Sequence, residues 1–416
     1  MRSSKMLLRA LGVERAVLED VRWVDAGSRD AALVVRVRAL HDERRRCGKC
    51  GRRCSRYDRG DGLRTWRSLD FGVQRTFIEA EAPRVRCREH GVVVQRVPWA
   101  RVSSGFTRAF EDQVAWLAVR TDKTTLASLL RVAWRSVGAI LERVAKSMRA
   151  TFDPFAEVTR IGIDEVSYRK GHRYLTVVVD HDSGRLLWAS PGHDEATLRK
   201  FFDALGAERA ARIKLVSADA AGWIPNVVRE RCPNATQCMD PFHVVQWATR
   251  ALDEVRRSVW NDLRRGGKKG DAKTLKGSRW ALWKNPEDLT PDQKVSLANI
   301  EHGNKPLFRA YLLKEHLRDV FKHEGQQAIN MLDYFVGWAA RSRLKPFVKL
   351  ARSIRDKRET IVAALTLRLS NARVEAANTK LRLLTRLAFG FHSHQPLIAL
   401  ALMKLGGLCP PLPGRN

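Results

Sequence analysis

Thr159-Arg160-Ile161-Gly162-Ile163-Asp164, Tyr174-Leu175-Thr176-Val177-Val178-Val179-Asp180 and Arg185-Leu186-Leu187-Trp188-Ala189 form the stretch that decides the fold. Each run is short, apolar and rich in β-branched residues. Lys170-Gly171 separates the first from the second and His181-Asp182-Ser183-Gly184 the second from the third, so three hairpin-linked strands are expected. Asp194 is placed to cap a helix whose Leu198, Phe201, Phe202 and Leu205 recur at helical spacing. Beyond it, Ile213 to Asp219 reads as a buried strand ending in an acid, Trp223 to Arg231 as a helix, and Thr236 to Met239 as a short strand followed by Asp240.

Three strands, a helix, a strand, a helix, a strand and a helix match a ribonuclease-H-like α/β core. In that topology the first and fourth strands are neighbours, which brings Asp164 and Asp219 together although they are 55 positions apart. Two adjacent carboxylates repel strongly unless a divalent cation lies between them. Magnesium takes carboxylate oxygens together with phosphate oxygens, so the pair reads as half of a nuclease-type metal site, whereas either acid alone is an ordinary strand-end carboxylate.

The third acid is Glu375. Ser370 to Arg382 is a good helix former with Ser370 as its cap, and Glu375, Asn378 and Arg382 share one stripe. Lys380, Arg382 and Arg386 are then near for phosphates; by itself the segment reads more readily as an amphipathic helix with a solvated Glu. Residues 246–365 read as helical and polar. Thr290-Pro291-Asp292-Gln293 marks a helix start there, and Arg264-Arg265-Gly266-Gly267-Lys268-Lys269-Gly270 is a basic, glycine-rich connection able to touch phosphate. This block interrupts the core before its last acid.

Upstream, residues 6–40 read as a short helix followed by strands. Then Cys47-Gly48-Lys49-Cys50 and, after 36 intervening residues, Cys87-Arg88-Glu89-His90 give two knuckles with glycines placed for tight turns. Zinc wants four such ligands in a tetrahedron, so Cys47, Cys50, Cys87 and His90 are the expected set for one structural zinc, with Cys54 as a replacement for one of them. Strands between the knuckles, such as Gln74 to Ala80, complete a zinc ribbon. Within residues 105–150, Thr124 to Leu130, Arg131-Val132-Ala133 and Trp134 to Leu141 read as helix, tight turn, helix. A helix-turn-helix lays its second helix in the major groove, which gives Arg135, Ser136 and Arg143 to DNA.

The charge agrees with a polyanionic partner. Of 416 residues, 76 are Lys or Arg and 45 are Asp or Glu, a formal charge of +31. Residues 1–150 carry +15, residues 151–250 carry 0 and residues 251–416 carry +16. Two basic flanks around a neutral segment point to nucleic-acid-gripping parts around a core with its own acidic task. The longest apolar runs, such as Leu397 to Met403, are far too short to span a membrane, and Arg9 interrupts the apolar start, so no membrane role and a cytoplasmic, nucleoid-associated location are expected. Seven cysteines, three of them between Cys47 and Cys54, favour metal binding in a reducing compartment over a disulfide framework.

Taken together, Gly162-Ile163-Asp164-Glu165, Ser217-Ala218-Asp219, Asp240-Pro241-Phe242-His243-Val244, Leu275 to Trp280 with Lys284 to Thr290, Asn371-Ala372-Arg373-Val374-Glu375 and Phe389-Gly390-Phe391 resemble the motifs of the ISL-three family of bacterial insertion-sequence transposases. The resemblance covers nearly the whole chain. It implies a DDE transposase that binds the terminal inverted repeats of its element as double-stranded DNA, cuts there, and joins 3′ ends to target DNA. The catalytic triad would be Asp164, Asp219 and Glu375 holding two Mg²⁺ or Mn²⁺ ions, with Asp240 and His243 in support and a homodimer or higher oligomer on DNA. Ala372 stands where the family usually has Gly, and His90 where a Cys is common. The implied division is a zinc-binding domain over 1–100, a helix-turn-helix domain over 101–150, a catalytic core over 151–250 and 366–416, and a helical insertion over 251–365. The competing classes are a non-catalytic DNA-binding protein derived from a transposase, which could lose an acid freely, and a junction or RNA nuclease on the same core.

Overall fold

The N-terminal quarter alternates between β-branched runs and glycine- or aspartate-marked turns, and it folds accordingly. After α1 (Ser3–Ala10) come β1 (Ala16–Val24), β2 (Ala32–Ala39), β3 (Ser55–Asp58), β4 (Leu63–Arg67), β5 (Arg75–Glu81), β6 (Arg84–Cys87) and β7 (Gly91–Val94). The computed structural model describes residues 3–28, 31–169, 171–218, 223–367, 372–387 and 393–415. The strands form two sheets, ordered β1-β2-β5-β4 and β3-β6-β7. Here the structure departs from the sequence reading, in which Gln74 to Ala80 belongs to the ribbon. Ile78 and Ala80 of β5 are buried with Leu33, Val35 and Trp66, so β5 joins the larger sheet between β2 and β4.

The helices α2 (Arg108–Ala118), α3 (Lys123–Leu130) and α4 (Trp134–Arg149) follow. Thr107 caps α2 by accepting from the Phe110 N–H, and Asp122 caps α3 by accepting from the Thr124 and Thr125 N–H groups. Arg131 ends α3 in the left-handed region at φ 51°, which turns the chain sharply into α4. That strained conformation is held by Asp70, which pairs with the Arg131 guanidinium, and by the Val73 carbonyl at 3.1 Å.

The second unit, Phe155–Arg382, contains the stretch that decides the fold. Its elements are β8 (Arg160–Arg169), β9 (Arg173–Asp180), β10 (Leu186–Pro191), α5 (Glu195–Leu205), α6 (Ala207–Ala210), β11 (Leu215–Ala218), α7 (Ile224–Arg231), β12 (Thr236–Met239) and α8 (Pro241–Arg265). One sheet results, in the order β10-β9-β8-β11-β12. β8, β9 and β10 pair antiparallel, while β11 is parallel to both β8 and β12. Strand alternation assigns the faces. Ile161, Ile163 and Val216 join Leu198, Phe201 and Phe202 of α5 and Ile224, Val227 and Val228 of α7 in one core, leaving Gly162, Asp164 and Ser217 to the opposite face.

α8 opens a helical block of α9 (Lys269–Gly277), α10 (Arg279–Trp283), α11 (Pro291–Gly303), α12 (Lys305–Val320), α13 (Gly325–Arg341), α14 (Lys345–Asp356) and α15 (Arg358–Leu367). Thr290 and Gln293 form a capping box at the start of α11. The basic connection is shorter than its sequence implies, because α9 already begins at Lys269. The block has its own core, including Leu252, Leu313, Leu317, Phe335, Phe347 and Ile354, and Ala364 of α15 returns the chain to Cys238 of β12.

α16 (Ala372–Leu387) follows, and α17 (His394–Leu405) ends the fold. Dividing the chain from its sequence keeps 366–416 with the core. In the structure Leu383–Asn416 groups with Met1–Pro154, because α17 is apolar nearly all round and packs on α4 and α2. Pro396 lies 3.1 Å from where a Cβ on Gly138 of α4 would stand. Among the described residues, no helix is long and apolar enough to cross a membrane.

Candidate functional site

The first unit assembles a cluster of soft donors. Gly48 lets the first knuckle pass close to β7, where a Cβ would come 2.5 Å from the Val94 carbonyl oxygen, and Gly51 takes φ 72° to complete the turn. The second knuckle closes at the β6–β7 hairpin. One ligand atom from each of Cys47, Cys50, Cys87 and His90 lies within 4.8 Å of the others. Cys50 Sγ and Cys87 Sγ are 3.7 Å apart, and His90 Nδ1 is 3.6 Å from Cys87 Sγ and 3.8 Å from Cys47 Sγ. Hydrogen bonding from the His90 side chain and backbone draws the Cys87 thiol down to about 6, toward the thiolate that metals bind. Cys54 is outside this group of four; its thiol donates to the Arg52 carbonyl at 3.4 Å, and burial pushes its pKa up.

On α4, Arg135 is exposed and Ser136 half-buried in the first turn. Arg143, a groove residue by its sequence position, is committed elsewhere: its guanidinium binds Glu111, which is fully buried and also held by Arg101 and Ser104. An uncompensated carboxylate at that depth is costly, which explains the commitment.

The second unit assembles a cluster of acids. Ile163, Ala218 and Met239 are paired in one row across β8, β11 and β12, and Asp164, Asp219 and Asp240 are the next residues in sequence after them. Asp219 lies outside the described residues, as do Ser370, Asn371 and Phe389-Gly390-Phe391. Asp164 Oδ1 accepts from the Glu165 N–H at 2.7 Å. Asp240 is buried, donates its N–H to the Ala218 carbonyl at 3.3 Å, and caps α8 by accepting from the Phe242 N–H at 3.0 Å. His243 Nε2 is 3.6 Å from Asp240 Oδ2.

α16 docks on the free face of this sheet through three consecutive residues. Arg373 donates to the carbonyls of His181 and Asp182. Val374 is fully buried against Gly162, where any Cβ would overlap Val374 Cγ2 and approach His181 Nε2 to 3.0 Å. Glu375 follows, and its carboxyl pKa is raised by partial loss of water, then by Asp240 and Asp164, with His243 opposing. One turn on, buried Asn378 donates Nδ2 to Asp164 Oδ2 at 2.5 Å, while its own Oδ1 is buried without a hydrogen-bond partner among the described residues. Lys380, Arg382 and Arg386 are exposed on α16.

The sequence reading missed the docking itself. A glycine inside a strand is a signal for close approach of another element, and Gly162 carries it. It also missed the buried His181, whose ring is 2.6 Å from Ser217 Oγ behind the acids.

Comparison with known proteins places these two clusters in one context. A family model described as a transposase matches residues 161–401, a zinc-finger model of insertion-sequence transposases matches 43–90, and a model of the helix-turn-helix domain of transposase family ISL3 matches 95–145. The transposase for insertion sequence element IS1557 of Mycobacterium tuberculosis is 55% identical, covering 100% of this chain and 98% of that protein. The transposase for IS1001 of Bordetella parapertussis is 26% identical over 84% of this chain and 86% of its own length. With a family model spanning more than half of its length and a relative of that identity along all of it, the chain belongs to the ISL3 family of insertion-sequence transposases.

Proposed function

We propose that the protein is a DDE transposase, which binds the terminal inverted repeats of its insertion sequence and cuts and joins DNA strands at them with divalent metal. The observation that carries the reading is the docking of α16, which brings the Glu375 carboxyl into the field of Asp164 and Asp240 in a chain of formal charge +31. Asp164, Asp219 and Glu375 are the metal-binding acids of this reading, on a core whose strand order and directions fit a ribonuclease-H-like sheet with the helices after α8 inserted before the last acid. The donor set fits a hard cation: the charges of Asp240 and Asp164 help to raise the Glu375 pKa, and repulsion of that kind is what a divalent ion compensates.

Bound there, Mg²⁺ or Mn²⁺ as a pair would supply Lewis acidity at the phosphorus and lower the pKa of the attacking hydroxyl. The protein's own share is positioning. Asn378 holds the Asp164 carboxylate in one orientation; Asp240 fixes the start of α8 and sets His243 at the edge of the acids; Lys380, Arg382 and Arg386 on α16 are available to DNA phosphates. Cys47, Cys50, Cys87 and His90 would hold one structural zinc, whose tetrahedral, four-donor chemistry the cluster suits. Arg135 and Ser136 at the start of α4 are the residues proposed to meet base edges, and assembly on DNA is proposed as a dimer or larger.

Asp219→Asn tests the reading, since it removes a metal ligand and no phosphate contact. Binding to end DNA should persist while strand cleavage is lost. Equal loss of both would assign Asp219 a structural role, and cleavage at the wild-type rate would remove it from the site.

A further inference from the structure

A cleft of about 960 Å³ opens in the first unit between the first cysteine knuckle, β4 and the segment leading into α2. Its wall carries five cationic side chains, Lys49, Arg64, Arg96, Arg101 and Arg108, and no Asp or Glu among the described residues. Arg101 is neutralised by Glu111 at 3.1 Å and Asp112 at 2.6 Å, and Arg64 by Asp61. Lys49, Arg96 and Arg108 have no ion pair among the described residues. Arg96 lies beside the knuckle: a Cβ on Gly51 would stand 3.6 Å from Arg96 Nη1. Arg108 is half-buried, and burial together with Arg101 and Arg96 pulls its guanidinium pKa below the usual arginine range, with Asp112 and Glu111 opposing. Lys49 and Arg96 are exposed, and like charges gathered this way repel one another and favour an anion between them. A phosphate group, which accepts several charge-assisted N–H bonds at once, suits these three cations better than a neutral nucleobase does.

We propose that this cleft seats backbone phosphate of bound duplex DNA, gripped by Lys49, Arg96 and Arg108, so that the zinc ribbon clamps the backbone while α4 reads bases. The inference rests on the DNA-binding reading above and gives the ribbon a task beyond stability.

The test uses the full-length, zinc-loaded protein and the Lys49→Ala/Arg96→Ala double variant, two exposed positions whose replacement removes no ion pair. Dissociation constants for end duplex and random duplex are measured against salt, with zinc content and melting temperature as controls. The double variant should bind both duplexes about tenfold more weakly by the same factor, with a salt slope lower by about 0.9 for each phosphate released. Arg135→Ala should instead lower the preference for end over random duplex. Unchanged affinity and slope in the double variant, with the Arg135→Ala effect intact, overturn the cleft and leave DNA binding standing; wild-type protein that binds no duplex overturns both. Inorganic phosphate is titrated alone as a second arm, and tight binding of it without any change in duplex affinity would make this a free-phosphate site and refute the clamp. If the double variant loses zinc, Arg96→Gln supplies the same comparison.

Discussion

The Cys47–Cys50–Cys87–His90 cluster and the acids Asp164, Asp240 and Glu375 are the two places where a metal ion is proposed, yet they are built in opposite ways. In the first, each pair of donors is three residues apart on one tight turn, and two turns meet. In the second, Asp164 and Glu375 are brought together from far apart in the chain by sheet register and by one helix whose Val374 seats on Gly162. Local construction would make a zinc ion part of the ribbon's fold. On the proposed reading, construction by topology leaves the fold standing without an ion and frees the acids for chemistry.

The largest effect expected from this contrast is on the ribbon. Stripping zinc with a chelator, or Cys87→Ser, should unfold the ribbon, since structural zinc contributes on the order of 10 kcal/mol in small fingers. Hydrogen exchange should rise throughout β3, β6 and β7 and remain unchanged in β8 and β11. Equal exchange in both sheets would erase the distinction.

A smaller effect lies behind the acids. His181 is buried against Ser217 and its pKa is lowered to about 4, first by desolvation and then by Arg160. The unfolded chain therefore binds the extra proton near 6.5 while the folded chain resists it down to about 4, so stability is full above pH 6.5 and declines as pH falls through that window. The contribution is of the order of 3 kcal/mol, and the difference in unfolding free energy between wild type and His181→Gln should carry that slope. A pH-independent difference would mean that the ring stays accessible to solvent.

Smaller again is the helix seat. Gly162→Ala should cost about 1–3 kcal/mol by overpacking against Val374, with a disproportionate loss of strand cleavage as Glu375 shifts. Gly162→Ala/Val374→Ala should recover much of both in thermal melts and cleavage assays. Failure to recover would detach α16 docking from the acid cluster.

Which parts were legible in the sequence follows from the same contrast. Knuckle spacing and glycines point directly to the cysteine–histidine cluster, and the β-branched runs with turn signals give β8 to β12 and the adjacency of β8 and β11. The four-stranded sheet of the first unit was hidden, because β5 lies between the two knuckles in sequence and only its contacts with Leu33, Val35 and Trp66 assign it elsewhere. Arg143 looked like a groove residue because nothing local reveals the buried Glu111 that claims it. The grouping of α17 with α4 was equally invisible, since an all-round apolar helix does not name the face it covers. Asp240 was legible only as support. In the structure it stands ahead of Asp164 among the charges that raise the Glu375 pKa, a consequence of β12 ending in register beside β11.

On the proposed reading, the carboxylates gathered by α16 hold the metal that cuts DNA. That assignment is tested most directly by incubating wild-type protein and Glu375→Gln with labelled element-end duplex and Mg²⁺ and mapping the cut positions. Cuts are expected at the element's ends with wild type and at least a roughly thousandfold loss with Glu375→Gln, as for an essential group, while end-DNA binding and melting temperature are retained. Cleavage by Glu375→Gln at the wild-type rate, or end binding by wild type with no cleavage, would contradict it.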